Sequence, residues 1–90
     1  MKKIEKTFKA LANYKRLEIL KILTKTKTAS VSELSEKIKT SLKSTSKHLL
    51  VLYHGDFLEK ERVYGLTLYR LKDKLNTIEK ELVDIVRKLV

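Results

Sequence analysis

A short segment of this sequence concentrates side chains that are suited to contact a polyanion. Lys43 and Lys47 are separated by about one helical turn, and each is followed by a hydroxyl or imidazole group, in Ser44 and His48. Ammonium, hydroxyl and imidazole groups donate hydrogen bonds to phosphate oxygens and to base edges. The segment therefore predicts contact with DNA, and the alternative is a solvated helix face. For His48 the alternative is a ring that packs half-buried.

The segment lies inside a pattern of two short helices joined by a tight turn. Apolar residues at helical spacing predict the first helix at about 31–38, opened by an S-x-x-E capping box at Ser30. The second helix is expected at about 42–54, with Ser41 as its N-cap and Gly55 as a left-handed C-terminal cap. This is the layout of a helix-turn-helix, whose second helix enters the major groove of DNA.

The flanking sequence predicts further helices and one β-hairpin. A helix is expected at about 2–12, and Asn13 is suited to cap a second helix, whose broad apolar face predicts a central, buried position. The stretch 24–28 alternates Thr with Lys and predicts a polar connector. Two strand-like runs flank Tyr64 and Gly65, and this pattern predicts a hairpin with its turn at those residues.

Composition restricts the class of partner. The 90 residues suffice for one domain, and 21 Lys and Arg against 11 Asp and Glu give a formal net charge of +10. Such an excess favours nucleic acid or an anionic membrane surface. A membrane is disfavoured because no apolar run is long enough to span one, and the N-terminus lacks a secretory signal, so we expect a cytoplasmic protein. Without cysteine, disulfides and thiolate metal sites are excluded.

The C-terminal segment predicts a helix at about 72–90 with two apolar stripes. From Leu71 onward, apolar residues step alternately by four and three, which is the period of a coiled-coil seam, and Val83, Val86 and Val90 form a second stripe. One stripe would cover the core and the other a second copy of the chain; the alternative is a single broad face on the core. The residues expected at a dimer interface of the helices at about 2–12 and 72–90 are Ile4, Phe8, Leu75, Ile78, Leu82, Ile85 and Leu89.

The order of these elements, together with several short motifs, resembles the ArsR/SmtB winged-helix transcriptional regulators. The matching residues, spread over about 4–75, are Phe8 to Asn13, Arg16 to Leu20, Val31 to Leu34, Ser46 to Leu49, Val51, Leu52, Gly55, Leu58, Gly65, Tyr69 and Leu71. The resemblance implies a mostly α (α+β) fold, a winged helix-turn-helix of about five helices with a two-stranded hairpin as the wing. It also implies one DNA-binding domain over 1–90 that acts as a homodimer.

Departures from the family pattern argue against a metal sensor. Many metal-sensing members have Cys-Val-Cys where this chain has Ser30, Val31 and Ser32, and neutral hydroxyls are poor ligands for soft or borderline ions. The last helix, which supplies His and carboxylate ligands in other members, has no His here. We therefore predict no metal and no cofactor.

The wing has fewer features that favour DNA contact than the second helix of the helix-turn-helix. Lys60, Arg62 and Arg70 flank it, but its tip at Tyr64 has no cation where the family often has one. Tyr64 is suited to stack or to bond a phosphate, and the alternative is an exposed turn residue. The full set of residues predicted to contact DNA is Ser41, Leu42, Lys43, Ser44, Ser46, Lys47, His48, Arg62 and Tyr64.

These observations predict a homodimeric transcriptional regulator that binds specific sites in double-stranded DNA, with repression implied by the resemblance. One alternative is an architectural protein that binds any duplex through its charge. The other is a protein-interaction module that docks on the transcription machinery through an apolar surface including Leu50 and Tyr53. An enzyme is not expected, because no nucleophilic cysteine, phosphate-binding glycine loop or zinc-protease motif is present. The sequence identifies no effector.

Overall fold

The computed structural model describes residues 2–89 and has the predicted winged-helix architecture. Within those residues, the fold consists of five α-helices and a three-stranded antiparallel sheet. In chain order the elements are α1 Lys2–Leu11, α2 Tyr14–Thr26, β1 Thr28–Ser30, α3 Val31–Ile38, α4 Leu42–His54, β2 Leu58–Val63, β3 Leu66–Leu71 and α5 Thr77–Lys88.

Local caps fix where the helix-turn-helix begins and ends, as predicted. The Ser30 hydroxyl accepts from the Glu33 N–H at 3.2 Å, and the Glu33 carboxylate accepts from the Ser30 N–H at 3.0 Å, which completes the capping box of α3. Ser41 accepts from the Ser44 N–H at 3.1 Å and starts α4. Asn13 caps α2 in the same way through the Arg16 N–H. The predicted limits of α3 and α4 are therefore confirmed.

The sheet contains one strand that the sequence pattern did not predict. Its order is β1-β3-β2, with Thr28 opposite Arg70 and Ser30 opposite Leu68. β1 has only three residues and passes directly into the cap of α3, so it shows no alternation of apolar and polar side chains. Its partner strand lies some forty positions later, and only the tertiary fold pairs the two.

The central helix α2 is longer than predicted. Ile19, Leu20 and Leu23 are fully buried, which confirms its central position. The polar stretch expected as a connector continues α2 through Thr26, and Lys27, with a φ of 70°, ends the helix. The prediction was wrong because Thr and Lys alternate on the solvent side of a helix whose other side is anchored in the core.

The last helix begins later than predicted. Leu71 ends β3 opposite Leu58, Leu75 lies in the connector, and α5 starts at Thr77 with Asn76 and Glu79 forming a capping box. The apparent seam beginning at Leu71 is therefore not one continuous helical stripe. Its first two members belong to a strand and a loop, whose spacing only imitates a helical period.

Gly55 serves packing rather than a left-handed cap. Its φ is −81°, and the positive φ expected there is found at Asp56, at 68°. A Cβ at Gly55 would approach the Ala10 Cβ to 2.9 Å. The glycine thus allows the C-terminal end of α4 to pack closely against α1.

Candidate nucleic-acid interface

The outer face of α4 presents the residues predicted to contact DNA. Thr45, Leu49 and Leu52 are buried and anchor the inner face of the helix. Lys43, Ser44 and Lys47 are exposed on the other side, as are Ser41 and Leu42 at its beginning. Within residues 2–89, no acidic side chain lies within 4 Å of the ammonium groups of Lys43 and Lys47. These cations are therefore free to bind an external anion.

The turn before α4 is held from two sides, which fixes the direction of the helix. Lys39 adopts the left-handed conformation with a φ of 54°, and the Thr40 N–H donates to the Ser35 carbonyl at 3.0 Å. The ammonium group of Lys15 on α2 donates to the Ile38 carbonyl at the end of α3. Such bonds satisfy carbonyls that a helix end leaves without partners.

Ser46 and His48 are half-buried rather than fully exposed, so they lie at the edges of this face. Leu50 points partly outward, as predicted, with 40% of its surface exposed, and Val51 is 39% exposed. The apolar strip next to the cations is therefore narrow.

Arg16 contacts the recognition helix, a role that its place in the sequence did not indicate. In sequence Arg16 is only a match to the family pattern. The guanidinium donates through Nε to the Ala10 carbonyl at 2.7 Å and through Nη2 to the Lys9 carbonyl at 3.1 Å. Its Nη1 lies 3.3 Å from His48 Nδ1. No spacing rule connects residues 32 positions apart, so local sequence carried no signal for the contact.

The surroundings of His48 favour its neutral form. Partial burial lowers the pKa of the imidazole, and the positive charges of Arg16 and Lys15 lower this pKa further. A neutral imidazole has one nitrogen that donates and one that accepts.

The wing presents an exposed tip and an exposed arginine. Tyr64 and Gly65 both have positive φ, at 50° and 80°, which is the signature of a two-residue type I′ hairpin turn. Tyr64 is fully exposed there. Arg62 is exposed and donates to the Thr67 hydroxyl at 3.2 Å across the hairpin.

The other cations beside the wing are engaged. Arg70 contacts the carboxylates of Glu59 at 2.8 Å and of Asp73 at 3.6 Å. The ammonium group of Lys60 lies 4.5 Å from the centre of the Tyr53 ring. The charge of Arg70 is therefore offset by carboxylates, whereas Lys60 keeps its charge beside a neutral ring.

The residues predicted for the dimer interface separate into two groups. Exposed apolar side chains on α1 and around α5 form what we term the terminal apolar surface, and these are Ile4, Phe8, Ile78, Ile85 and Leu89. Leu75 and Leu82 are instead partly buried against the protein's own core. Val83 and Val86 are buried and join α5 to that core. These two members of the second stripe therefore cover the core, and the third, Val90, lies outside the described residues.

Two polar side chains near the segments where the family's sensors bind metal are used in helix caps. The Ser30 hydroxyl is used in the cap of α3, and the Glu79 carboxylate accepts from the Asn76 N–H. No cluster of three or more His, Cys, Asp or Glu side chains with metal-binding geometry occurs within residues 2–89. Over the same residues, every helix is too short or too polar to cross a bilayer.

Known proteins are similar to this chain in sequence and in fold. Residues 13–60 match the family model described as bacterial regulatory protein, arsR family. The arsenical resistance operon repressor of Bacillus subtilis (strain 168) is 33% identical over 90 residues, which are 98% of this chain and 86% of that protein.

Solved structures agree with this match. HlyU from Vibrio cholerae N16961 superposes with a TM-score of 0.80 at 28% identity, covering 96% of this chain and 89% of that one. The homodimeric winged helix-turn-helix domain of Mb0332 from Mycobacterium bovis gives a TM-score of 0.80 at 26% identity, covering 96% and 76%. The chain therefore belongs to the ArsR family, whose members are winged-helix transcriptional regulators and not enzymes.

Proposed function

We propose that this protein is a homodimeric repressor that binds specific sites in double-stranded DNA with α4 in the major groove. The observation that carries the proposal is the exposed set of Lys43, Ser44 and Lys47 on the outer face of the recognition helix, with no carboxylate of residues 2–89 paired to either lysine. Lysine donors bind phosphates or guanine edges, and serine hydroxyls bind phosphates or bases.

The proposed DNA surface extends beyond this trio. Ser41 and Leu42 lie at the start of α4, where they would approach the backbone, while the half-buried Ser46 and His48 border the groove-facing side. Arg62 and Tyr64 on the wing would contact the backbone or the minor groove. Because the other wing cations are engaged by neighbours, we assign most of the affinity to α4.

A dimer is supported by the terminal apolar surface. Five large apolar side chains remain exposed on α1 and around α5, and pairing with a second copy would remove them from water. Mb0332 is described as homodimeric. Two-fold symmetry would place two recognition helices in successive major grooves, so the DNA site would be an inverted repeat with half-sites about 34 Å apart.

Repression is proposed from the relatives. The Bacillus subtilis protein is described as the repressor of an arsenical resistance operon, and BigR from Xylella fastidiosa, with a TM-score of 0.76 at 25% identity, as a transcriptional repressor. This chain has no cysteine, so we do not propose a thiolate site for arsenite or a metal ion. As a regulator of transcription it would act in the cytoplasm.

The first experiment is selection of binding sites from a random duplex pool, followed by titration of the selected site and a scrambled duplex at several salt concentrations. We expect an enriched inverted repeat that binds at least about 10³-fold more tightly than the scramble. Equal, strongly salt-dependent binding to both duplexes would instead indicate an architectural protein acting through its charge. Absence of binding to either would indicate a protein-interaction module.

The dimer has a separate test. Ile85→Glu places a charge at the most exposed side chain of the terminal apolar surface, and Lys80→Gln, at an exposed position of the same helix away from the Ile78 and Ile85 stripe, is the matched control. Sedimentation equilibrium should show a dimer for the wild type and the control and a monomer for Ile85→Glu. A monomeric wild type at micromolar concentration would contradict the proposed dimer.

A further inference from the structure

Arg16 joins the end of α1 to the recognition helix through three guanidinium nitrogens. Nε and Nη2 donate to the Ala10 and Lys9 carbonyls, which belong to the last turn of α1. Carbonyls in that turn have no partners within their own helix. Two fixed bonds leave the planar guanidinium little freedom, and they hold Nη1 at 3.3 Å from His48 Nδ1.

The chemistry of this contact determines the tautomer of His48. A guanidinium group only donates hydrogen bonds, so Nδ1 must be the accepting nitrogen. The proton of the neutral imidazole is then on Nε2. The lowered pKa of His48 agrees with a ring that stays neutral.

The opposite nitrogen of the ring remains available. Within residues 2–89, Nε2 has no hydrogen-bond partner, and it is not among the polar atoms that are buried without one. His48 follows Lys47 directly and lies one helical turn after Ser44, so its ring borders the exposed face of α4. An Nε2–H group at this position can donate to an acceptor outside the chain.

We propose that Arg16 is a positioning residue that holds His48 as the Nε2–H tautomer, so that the recognition helix presents one neutral, orientationally fixed donor to an acceptor oxygen or nitrogen of DNA. This inference rests on the proposed DNA-binding function and adds to it a residue outside the helix-turn-helix. It assigns Arg16 an action through His48, without its own contact to DNA.

A neutral donor has a distinctive signature in DNA binding. Lys43 and Lys47 displace counterions from phosphates, so their removal lowers the dependence of affinity on salt. His48 displaces none, so its removal should lower affinity at every salt concentration without changing that dependence. A phosphate acceptor predicts an equal loss on all duplexes, whereas a base acceptor predicts a loss confined to the selected site.

The test combines His48→Ala with Arg16→Lys. The lysine keeps the positive charge but lacks the three nitrogens from which the guanidinium donates to three partners. We expect His48→Ala to weaken binding about tenfold, the value of one hydrogen bond to a charged or well-oriented partner, with an unchanged salt slope. Arg16→Lys should weaken binding severalfold in the wild type and not at all in the His48→Ala background. Additive losses would show that Arg16 acts independently, and would overturn the proposal.

A conservative replacement of His48 gives a second, independent test in case Arg16→Lys folds poorly. His48→Gln leaves both bonds from Arg16 to α1 in place, and its amide has one acceptor and one donor group. We expect it to recover part of the affinity that His48→Ala loses. Equal binding by the Gln and Ala variants would contradict the role of a donor at this position.

Nitrogen NMR of the free protein tests the tautomer without DNA. The chemical shift of His48 Nδ1 should be that of an unprotonated, hydrogen-bonded nitrogen. In Arg16→Lys this chemical shift should move toward the value of an unprotonated nitrogen without a hydrogen bond. A protonated Nδ1 would overturn the proposal even if all DNA results agreed.

If the NMR result is as expected but wild-type protein binds no duplex, the proposed function fails and the donor role with it. If wild type binds its site and His48→Ala binds equally well, only this inference fails.

Discussion

The recognition helix and the wing both have exposed cations, but they differ in whether those cations are free. On α4, no acidic side chain within residues 2–89 lies within 4 Å of Lys43 or Lys47. Beside the wing, Arg70 is neutralised by Glu59, and Arg62 is bonded across the hairpin to Thr67. A count of Lys and Arg would favour the wing, which has three of them against two on α4. The contacts show that α4 is the stronger candidate for binding phosphate.

The largest expected effect is the loss of DNA affinity when a free lysine of α4 is removed. Lys43→Ala and Lys47→Ala should each weaken binding to the selected duplex by about 1–3 kcal/mol where a base is contacted. Titration by fluorescence anisotropy at several salt concentrations measures this loss. Lys74→Ala is the matched control, because Lys74 is exposed in the connector before α5. Equal losses for the control and the α4 variants would remove the distinction between α4 and the rest of the charged surface.

The next largest effect is the loss of stability when a glycine is replaced by alanine, at the end of α4 and at the wing tip. Gly55→Ala should cost about 1–3 kcal/mol of unfolding free energy, because its Cβ would lie 2.9 Å from that of Ala10. Gly65→Ala should cost about 1–2 kcal/mol for a different reason, since its φ is +80° and nothing lies near a Cβ.

Denaturant unfolding of each variant with and without Ala10→Gly separates these causes. The second substitution should relieve the cost of Gly55→Ala and leave that of Gly65→Ala unchanged. Relief of both would mean that the wing tip is strained by packing rather than by its backbone.

A smaller effect tests whether the wing touches DNA. Asn is favoured over Tyr at a positive φ, so Tyr64→Asn should stabilise the fold by about 0.5 kcal/mol. If the exposed ring contacts DNA, affinity should fall by about 1 kcal/mol, less than for Lys43→Ala. A thermal melt and a titration with the same protein measure both changes. Unchanged affinity in a stabilised variant would assign the DNA surface to α4 alone.

The smallest effect concerns the helix that supports α4. Bonds from Ser30 lower the pKa of Glu33, first through the backbone N–H and then through the side chain. The pKa of Glu33 in the folded state is below the ordinary pKa of a glutamate. The ionised Glu33 therefore contributes its full stability to the fold at pH values above that ordinary pKa. The contribution is lost as the pH falls through the lowered pKa of the folded state. Thermal melts across acidic pH should show a slightly shallower decline for Glu33→Gln than for wild type. Identical curves would mean that the capping box adds no pH-dependent stability.

Much of the fold was predictable because helix ends depend on near neighbours. Ser30 with Glu33, and Ser41 with Ser44, are close in sequence, so their capping bonds follow from residue types alone. The exposed face of α4 followed equally well from helical periodicity. The predictions failed at the start of α5 and at β1, where a strand pairing with a distant segment overrides the local pattern.

The sequence by itself thus determined the order of the helices and the hairpin, the limits of α3 and α4, and the side of α4 that carries Lys43 and Lys47. Only the tertiary structure decided that Arg70 is neutralised, that Val83 and Val86 rather than Ile85 cover the core, and that Arg16 reaches His48. The physical reason is the range of the interactions. Caps and helical faces depend on residues within about one turn, whereas burial, ion pairs and a selected tautomer depend on which distant segments the fold places together.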